Sequence, residues 1–203
     1  EPVVAELAAH AGRPVSIDTS KAAVAARALE LGAEIINDVT ALRGDPEMAP
    51  LAARSGTGVV LMHMLGTPRT MQKDPHYEDV AAEIADFLRG RLEAARAAGI
   101  EPERVVLDPG IGFGKTLGHN LEIIRRMNEF MELDRPILVG PSRKAFLGRL
   151  LGGSPPEQRL EGTLAAVVAA VLGGARVVRV HDVAPVARAV AVAGAIAGIQ
   201  EMG

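Results

Sequence analysis

With 203 residues, 48% of them hydrophobic, the chain can bury one sizeable core; a domain of this length buries about 70% of its unfolded surface. A net charge of -3 gives no general attraction to nucleic acid or to anionic lipid, so any anion site must be local and the expected partner is a small molecule. The absence of Cys excludes a disulfide framework, a thiolate metal site and a Cys nucleophile, and fits a cytoplasmic compartment.

The first residues, with Glu1 and Glu6, have no basic stretch of the kind that opens a signal peptide. Their pattern, PVVAELAAHAG, is helical and leads into the first of six buried strands: VSID (15–18), IIND (35–38), VVLMH (59–63), VVLD (105–108), ILVG (137–140) and VVRVHD (177–182). Between the first two strands Ser20 can cap the helix KAAVAARALEL, and Gly32 stands where a left-handed residue ends it. Further helices are expected over 46–55, from Glu78 to Ala98, near Asn120 to Met131, near Gly162 to Gly173, and from Pro185 onward. The segment 64–79 is expected to be a long surface loop, with His76 and Tyr77 in solvent. No stretch reaches the roughly 18 apolar residues of a membrane span; the longest run is Leu164 to Leu172.

Strand and helix alternate along one domain, residues 1–203, with no hairpin signal, which calls for a parallel sheet covered by helices. An open doubly wound sheet and a closed barrel both satisfy the pattern. A barrel would focus the polar strand ends on one mouth, but an eight-stranded barrel takes about 250 residues. The six visible units therefore read as an incomplete (β/α)8 barrel lacking two N-terminal units.

Polar residues gather at the C-terminal ends of the strands. Asp18, Asn37 and Asp108 each close an apolar strand, where a desolvated carboxylate or amide needs partners. Helix capping is the alternative, with Thr19 and Ser20 equally able caps beside Asp18. Two carboxylates and a carboxamide also match the donor and acceptor edge of an amino-pyrimidinone ring. DPGIGFGKT (108–116) lacks the first Gly of a nucleotide-binding phosphate loop; its glycines instead allow close backbone approach to a ligand and release Phe113 and Lys115 at the tip. After the fifth strand come Ser142 and two cations, Arg143 and Lys144, for which a surface cation pair is the alternative. In RVHD, the two-residue strand period would put Arg179 and His181 on one face, able to share an anion; a salt bridge between strands is the alternative for Arg179. His63 has no companions at metal-ligand spacing and reads as a core histidine. Ala165, Ala166, Ala169 and Ala170 suggest close helix packing, within the domain or between subunits.

Taken in order, SIDTSK, IINDVTAL, LMHMLGTPRTMQ, DPGIGFGKT, GPSRKAFLG and RVHDV resemble the dihydropteroate synthase family over nearly the whole chain. The resemblance implies a TIM-type barrel, of which these strands would be the third to eighth. It implies condensation of 6-hydroxymethyl-7,8-dihydropterin diphosphate with 4-aminobenzoate to give 7,8-dihydropteroate and diphosphate, and competition by sulfonamides. Asp18, Asn37, Asp108 and Lys144 match the family's pterin site, Arg179 and His181 its anion site, and Ser142 and Phe113 its aminobenzoate pocket. Arg179 would also lie over the pterin face. In the family's chemistry the C–O bond to diphosphate loosens before the aniline attacks, so Asp108, Lys144, Arg179 and His181 are the expected catalytic residues. Mg2+ and a homodimer are implied too. The family's N-terminal loops, NVTPDSFSDGG with its metal-binding Asn and GGESTRPG with its diphosphate-binding Thr and Arg, do not appear, so no metal ligand is expected in this chain. A chain without them is expected to be inactive by itself. A methyltransferase passing a methyl group from a pterin to a corrinoid protein, and a non-catalytic pterin-binding barrel, are the rival readings.

Overall fold

The computed structural model describes residues 1–67 and 69–198. The element order is α1 (Pro2–His10), β1 (Ser16–Asp18), α2 (Ala22–Glu30), β2 (Ile35–Asp38), α3 (Met48–Ser55), β3 (Gly58–Met62), α4 (Val80–Ala97), β4 (Val105–Asp108), α5 (Leu117–Arg125), β5 (Leu138–Val139), α6 (Ala145–Leu150), α7 (Leu160–Leu172), β6 (Val177–Val178) and α8 (Val183–Ile196). Three short 3-10 turns, Pro102–Arg104, Met127–Leu133 and Pro156–Gln158, complete it. The expected α/β alternation with parallel strands is present.

Two compact units divide the chain: Glu1–His63 with Asp86–Asp108, and Met64–Ala85 with the residues from Pro109 onward. The first holds the parallel sheet β1-β2-β3-β4. Its register sets Asp18 beside Asn37, Asn37 beside Val60, and Val60 beside Val106. Strands β2, β3 and β4 are apolar on both faces, and Ile36, Val59, Leu61, Val105 and Leu107 are all but inaccessible, as expected for parallel strands covered by helices. Burial of Ala25, Ala28 and Ala52 lets α2 and α3 pack closely.

In the second unit β5 pairs with β6 in parallel, Val139 beside Val178. Helices α7 and α8 pack through Val167, Val171, Val186 and Ala193, with Val178 and Val180 against them. The sequence reading of a close Ala-rich packing on α7 is met in part: Ala166 and Ala170 are buried.

Several expected boundaries change. Ser20 does not cap α2. The N-cap position is Lys21, and the Ala22 amide donates 2.8 Å to Asp45 Oδ2, a carboxylate from the loop before α3. A cap supplied from 23 residues away has no local sequence signal. Gly32 ends the helix with φ +97 as expected. The helix expected near Asn120 to Met131 is broken, because α5 stops at Arg125 and a 3-10 turn follows. Ser142, Arg143 and Lys144 lie in the connection after β5, and Lys144 is the N-cap of the short helix α6. The sixth strand covers only Val177 and Val178, so VVRVHD is not a strand throughout.

Asp45 accepts from the Ala22 and Glu47 amides, and these bonds hold its carboxyl below the ordinary carboxylate range. A depressed folded-state pKa contributes stability that is present above the unfolded value and lost as pH falls through the folded one. Asp45→Ala is therefore expected to melt below the wild type at pH 7. The gap between the two melting curves should close as the pH is lowered below the carboxylate range; a gap independent of pH would refute the cap.

Candidate functional site

The first unit brings three of the expected site residues onto one face of its sheet. Asp18 and Asn37 are register partners, and the Asn37 amide donates 3.1 Å to Asp18 Oδ2. Asp108 lies two residues beyond Val106 on β4, hence on the same face as the Asp18–Asn37 row. Asn37 and Asp108 are buried, whereas Asp18 is exposed. The Asp108 carbonyl accepts from the His63 amide at 2.9 Å, one step past the last paired row. His63 is a core histidine as expected, its ring edge-on to Phe87 with centroids 4.9 Å apart. Two carboxylates and a carboxamide on one face form an array able to accept from a ring bearing N–H donors, with the Asn37 carboxamide Oδ1 adding a further acceptor.

Sequence reasoning missed Asp38, which points to the opposite face from Asn37 and is fully buried. Its carboxylate accepts from the Thr40 amide (2.8 Å), the Thr40 hydroxyl (2.7 Å) and the Leu42 amide (2.9 Å). These bonds clamp a turn in which Ala41 and Leu42 have φ +52 and +62. Left-handed conformations cost L residues about 1–2 kcal/mol each, so the turn persists only because its surroundings enforce it. Arg91 on α4 adds a 2.8 Å bond to the Ala41 carbonyl. The Asp-x-Thr spacing was a legible signal for such a side-chain turn; the two positive φ angles were not.

The second unit presents a different array. In GIGFG, Gly110, Gly112 and Gly114 all have positive φ (+71, +82 and +65). A Cβ on Gly114 would sit 2.8 Å from Leu65 Cβ and 3.0 Å from the Leu65 carbonyl. The loop is tied down by Gln72, donating 2.7 Å to the Gly112 carbonyl, by Tyr77, donating 2.9 Å to the Gly114 carbonyl, and by Asn120, accepting 2.7 Å from the Gly112 amide. Tyr77 is thus buried rather than solvated as expected, and burial, reinforced by Glu83, pushes its phenol up to about 12. His76 is exposed. Nor is Lys115 released at the loop tip: it is buried and its Nζ donates 3.0 Å to the Phe113 carbonyl. Phe113 is half-buried, with Lys144 Nζ 4.1 Å from its ring centroid, a cation–π contact. Beside these loops a cavity of about 260 Å³ is lined by Gln72, Gly112, Lys115, Asn120, Lys144 and Arg149 among others, with no carboxylate in its wall.

The end of β5 meets the end of β6 through side chains. Ser142 Oγ lies 2.9 Å from His181 Nδ1 and accepts from the His181 amide at 3.2 Å. Arg143 forks onto Asp182, Nε to Oδ2 at 3.1 Å and Nη2 to Oδ1 at 2.8 Å. Each shifts the other: the hydrogen bonds to Asp182 raise the guanidinium's pKa, and the Arg143 guanidinium holds the Asp182 carboxyl below the usual range. Arg179 is exposed, its amide donating 2.9 Å to the Val139 carbonyl. Because the strand stops at Val178, alternation does not set Arg179 and His181 on one face; what positions His181 is Ser142.

Polar side chains on one face at the C-terminal ends of parallel strands, with a glycine-rich loop and a carboxylate-free cationic cavity, define a small-molecule enzyme of the β/α class. The chain belongs to the pterin binding enzyme family, whose model matches residues 1–181. It is 47% identical over 185 residues to the dihydropteroate synthase of Neisseria meningitidis serogroup C, covering 90% of this chain and 65% of that relative. Among solved structures it is similar to Yersinia pestis dihydropteroate synthase with a sulfonamide drug complex, at 41% identity and TM-score 0.94 over 97% of this chain and 71% of that one. Thermus thermophilus dihydropteroate synthase, solved in complex with 6HMPPP and with 4-aminobenzoate, is 47% identical at TM-score 0.89; the match covers 96% of this chain and 76% and 78% of those chains.

Gly114→Ala is expected to lower stability by more than about 1 kcal/mol, since φ +65 and contact with Leu65 both oppose a Cβ. Tyr77→Phe should cost about 1 kcal/mol by stranding the Gly114 carbonyl. Folding raises the Tyr77 pKa from 10.0 to about 12, so its contribution is full below pH 10 and is lost as pH rises toward 12. Urea melts of both variants at pH 7 and near pH 11 check this, and a Tyr77→Phe cost that is the same at both pH values would count against it.

Proposed function

We propose that the protein condenses 6-hydroxymethyl-7,8-dihydropterin diphosphate with 4-aminobenzoate, forming 7,8-dihydropteroate and diphosphate. The observation that carries the reading is the row of Asp18, Asn37 and Asp108 on one sheet face, suited to the edge of an amino-pyrimidinone. Support comes from relatives of the same name whose structures hold 6HMPPP and 4-aminobenzoate.

In this reading Asp18, Asn37, Asp108 and Lys144 hold the pterin, Arg179 and His181 meet the diphosphate, and Ser142 and Phe113 line the aminobenzoate pocket. Arg179 also stacks on the pterin face, for which its planar guanidinium is suited. The C–O bond of the pterin methylene breaks with both electrons leaving on diphosphate. The methylene carbon becomes cationic, conjugated with the ring, and the aniline nitrogen forms the new C–N bond before losing its proton. The buried Asp108 carboxylate and the exposed one of Asp18 favour that cation, and cations near the diphosphate favour its departure. No covalent enzyme intermediate is required.

Among the described residues no three His, Asp or Glu side chains group as a metal cage. Mg2+ is proposed as a counter-ion accompanying the diphosphate, and no step assigned to these side chains requires it. The incomplete TIM-type barrel, the cytoplasmic compartment and the homodimer belong to the same proposal. In its favour, no described helix is long and apolar enough to cross a membrane, and α8 exposes Val183, Val192 and Ile196, apolar surface that a second subunit would cover. Sulfonamides are expected to compete with 4-aminobenzoate.

In the complete enzyme, diphosphate release measured with both substrates tests the activity, and omission of 4-aminobenzoate should abolish it. Asp108→Ala is expected to raise the barrier by about 2–4 kcal/mol, a loss on the order of 10²–10³ in kcat. Undiminished turnover in that variant would sink the assignment, and methyl transfer from a methylated pterin to a corrinoid protein would replace it.

A further inference from the structure

The PSRK loop and the RVHD segment are joined by two side-chain contacts, one above the other in sequence order: Ser142 to His181 and Arg143 to Asp182. Asp182 is the N-cap residue of α8, where a carboxylate ordinarily accepts from the first helical amides, yet it makes no such bond; its oxygens go to the Arg143 fork. Arg143 has φ +58, a conformation L residues avoid, and is held there from three sides. Its amide donates 3.2 Å to the fully buried Thr163 hydroxyl, its carbonyl accepts 2.7 Å from Arg159, and its side chain grips Asp182. Arg159 also packs over Gly148, where a Cβ would come 2.5 Å from the guanidinium. The left-handed residue reverses the chain between Ser142, directed at His181, and Lys144, directed at Phe113.

The Ser142 oxygen already accepts from the His181 amide. Ser142 is buried, and the acceptor within reach of its one hydroxyl proton is His181 Nδ1, 2.9 Å away; the His181 tautomer decides which of the two atoms donates. A hydroxyl donating to Nδ1 leaves the imidazole proton on Nε2. We propose that Arg143 and Asp182 are positioning residues whose ion pair holds Ser142 so that its hydroxyl donates to His181 Nδ1 and the imidazole proton sits on Nε2, a directed hydrogen-bond donor. The anion it would serve rests on the functional reading above; the tautomer does not. Fixing the donor in the free protein removes a reorganisation step when an anion arrives.

Long-range proton–nitrogen correlation spectra of the full chain, labelled at histidine, read the tautomer directly. His181 is expected to show an unprotonated Nδ1 and a protonated Nε2. Asp182→Asn and Arg143→Lys should each give a tautomer mixture, as should Ser142→Ala, while the other histidines keep their signals. A wild-type Nδ1–H tautomer overturns the proposal, and so does an Nε2–H tautomer unchanged in both Asp182→Asn and Arg143→Lys. Two positioning variants are used so that loss of folding in one still leaves the other to decide. Calorimetric titration with inorganic diphosphate then reads the consequence: roughly ten-fold weaker binding in Asp182→Asn. Absence of diphosphate binding by the wild type refutes the functional reading, while the tautomer result stands or falls separately.

Discussion

Parallel pairing runs out at the C-terminal end of each strand, and every polar group beyond the last paired row must find a partner of another kind. In the first unit the ladder ends at Asp18, Asn37 and Asp38, and Met62 beside Asp108. Backbone donors and acceptors just past that line are satisfied singly, as when the His63 amide reaches the Asp108 carbonyl. Side chains there are desolvated by the sheet and its helices but have no ladder to join. A ligand that supplies complementary hydrogen bonds at that edge replaces water at little cost, which suits the strand ends to the proposed site.

The polar residues at these ends divide by how completely the protein satisfies them. Asp38 accepts three bonds from its own turn, as Arg126, away from the strands at the end of α5, is gripped by Asp79, Glu122 and Glu129. These are framework groups, with little hydrogen-bonding capacity left for a ligand. Asn37, by contrast, uses one amide hydrogen on Asp18 and sits one residue from Asp38 on the opposite face. Adjacent residues in IIND thus do opposite jobs, one holding a strained turn and the other facing the array. The strand period separates them cleanly.

Much of this was legible in the sequence, for identifiable reasons. Continuous apolar strands alternating with helical periods predict parallel pairing, and the residue closing each strand could be named, so the placing of Asp18, Asn37 and Asp108 at strand ends on one face was legible from pattern. Features set by distant contacts were not legible. Asp45 rather than Ser20 caps α2 because a loop 23 residues away folds over the helix start. Tyr77 looked solvated because its neighbours are Pro75, His76, Glu78 and Asp79, yet its ring edge meets His119 and its hydroxyl fills the Gly114 carbonyl. The Arg179 and His181 pairing was inferred from a strand expected to run to Asp182 but ending at Val178. There the tertiary partners, Ser142 and Arg143, decide the geometry in place of the ladder.

Strain is distributed in the same way. Four described non-glycine residues have positive φ: Ala41, Leu42, Asp134 and Arg143. Three of them lie within four residues of strand ends, β2 for Ala41 and Leu42 and β5 for Arg143. Each is enforced by charged side chains that bind backbone or one another: Asp38 and Arg91 at the first turn, Asp182 and Arg159 at the second. A glycine at these positions would relieve the strain at the expense of a floppier turn, since it loses more entropy on ordering. Retaining side-chain-bearing residues keeps the loops rigid, and rigidity is what a site stabilising charge by fixed dipoles requires. The GIGFG loop solves the other problem: it needs backbone so close to Leu65 and Lys144 that no Cβ fits, so there glycine is unavoidable, and stiffness comes from Gln72, Tyr77 and Asn120 instead.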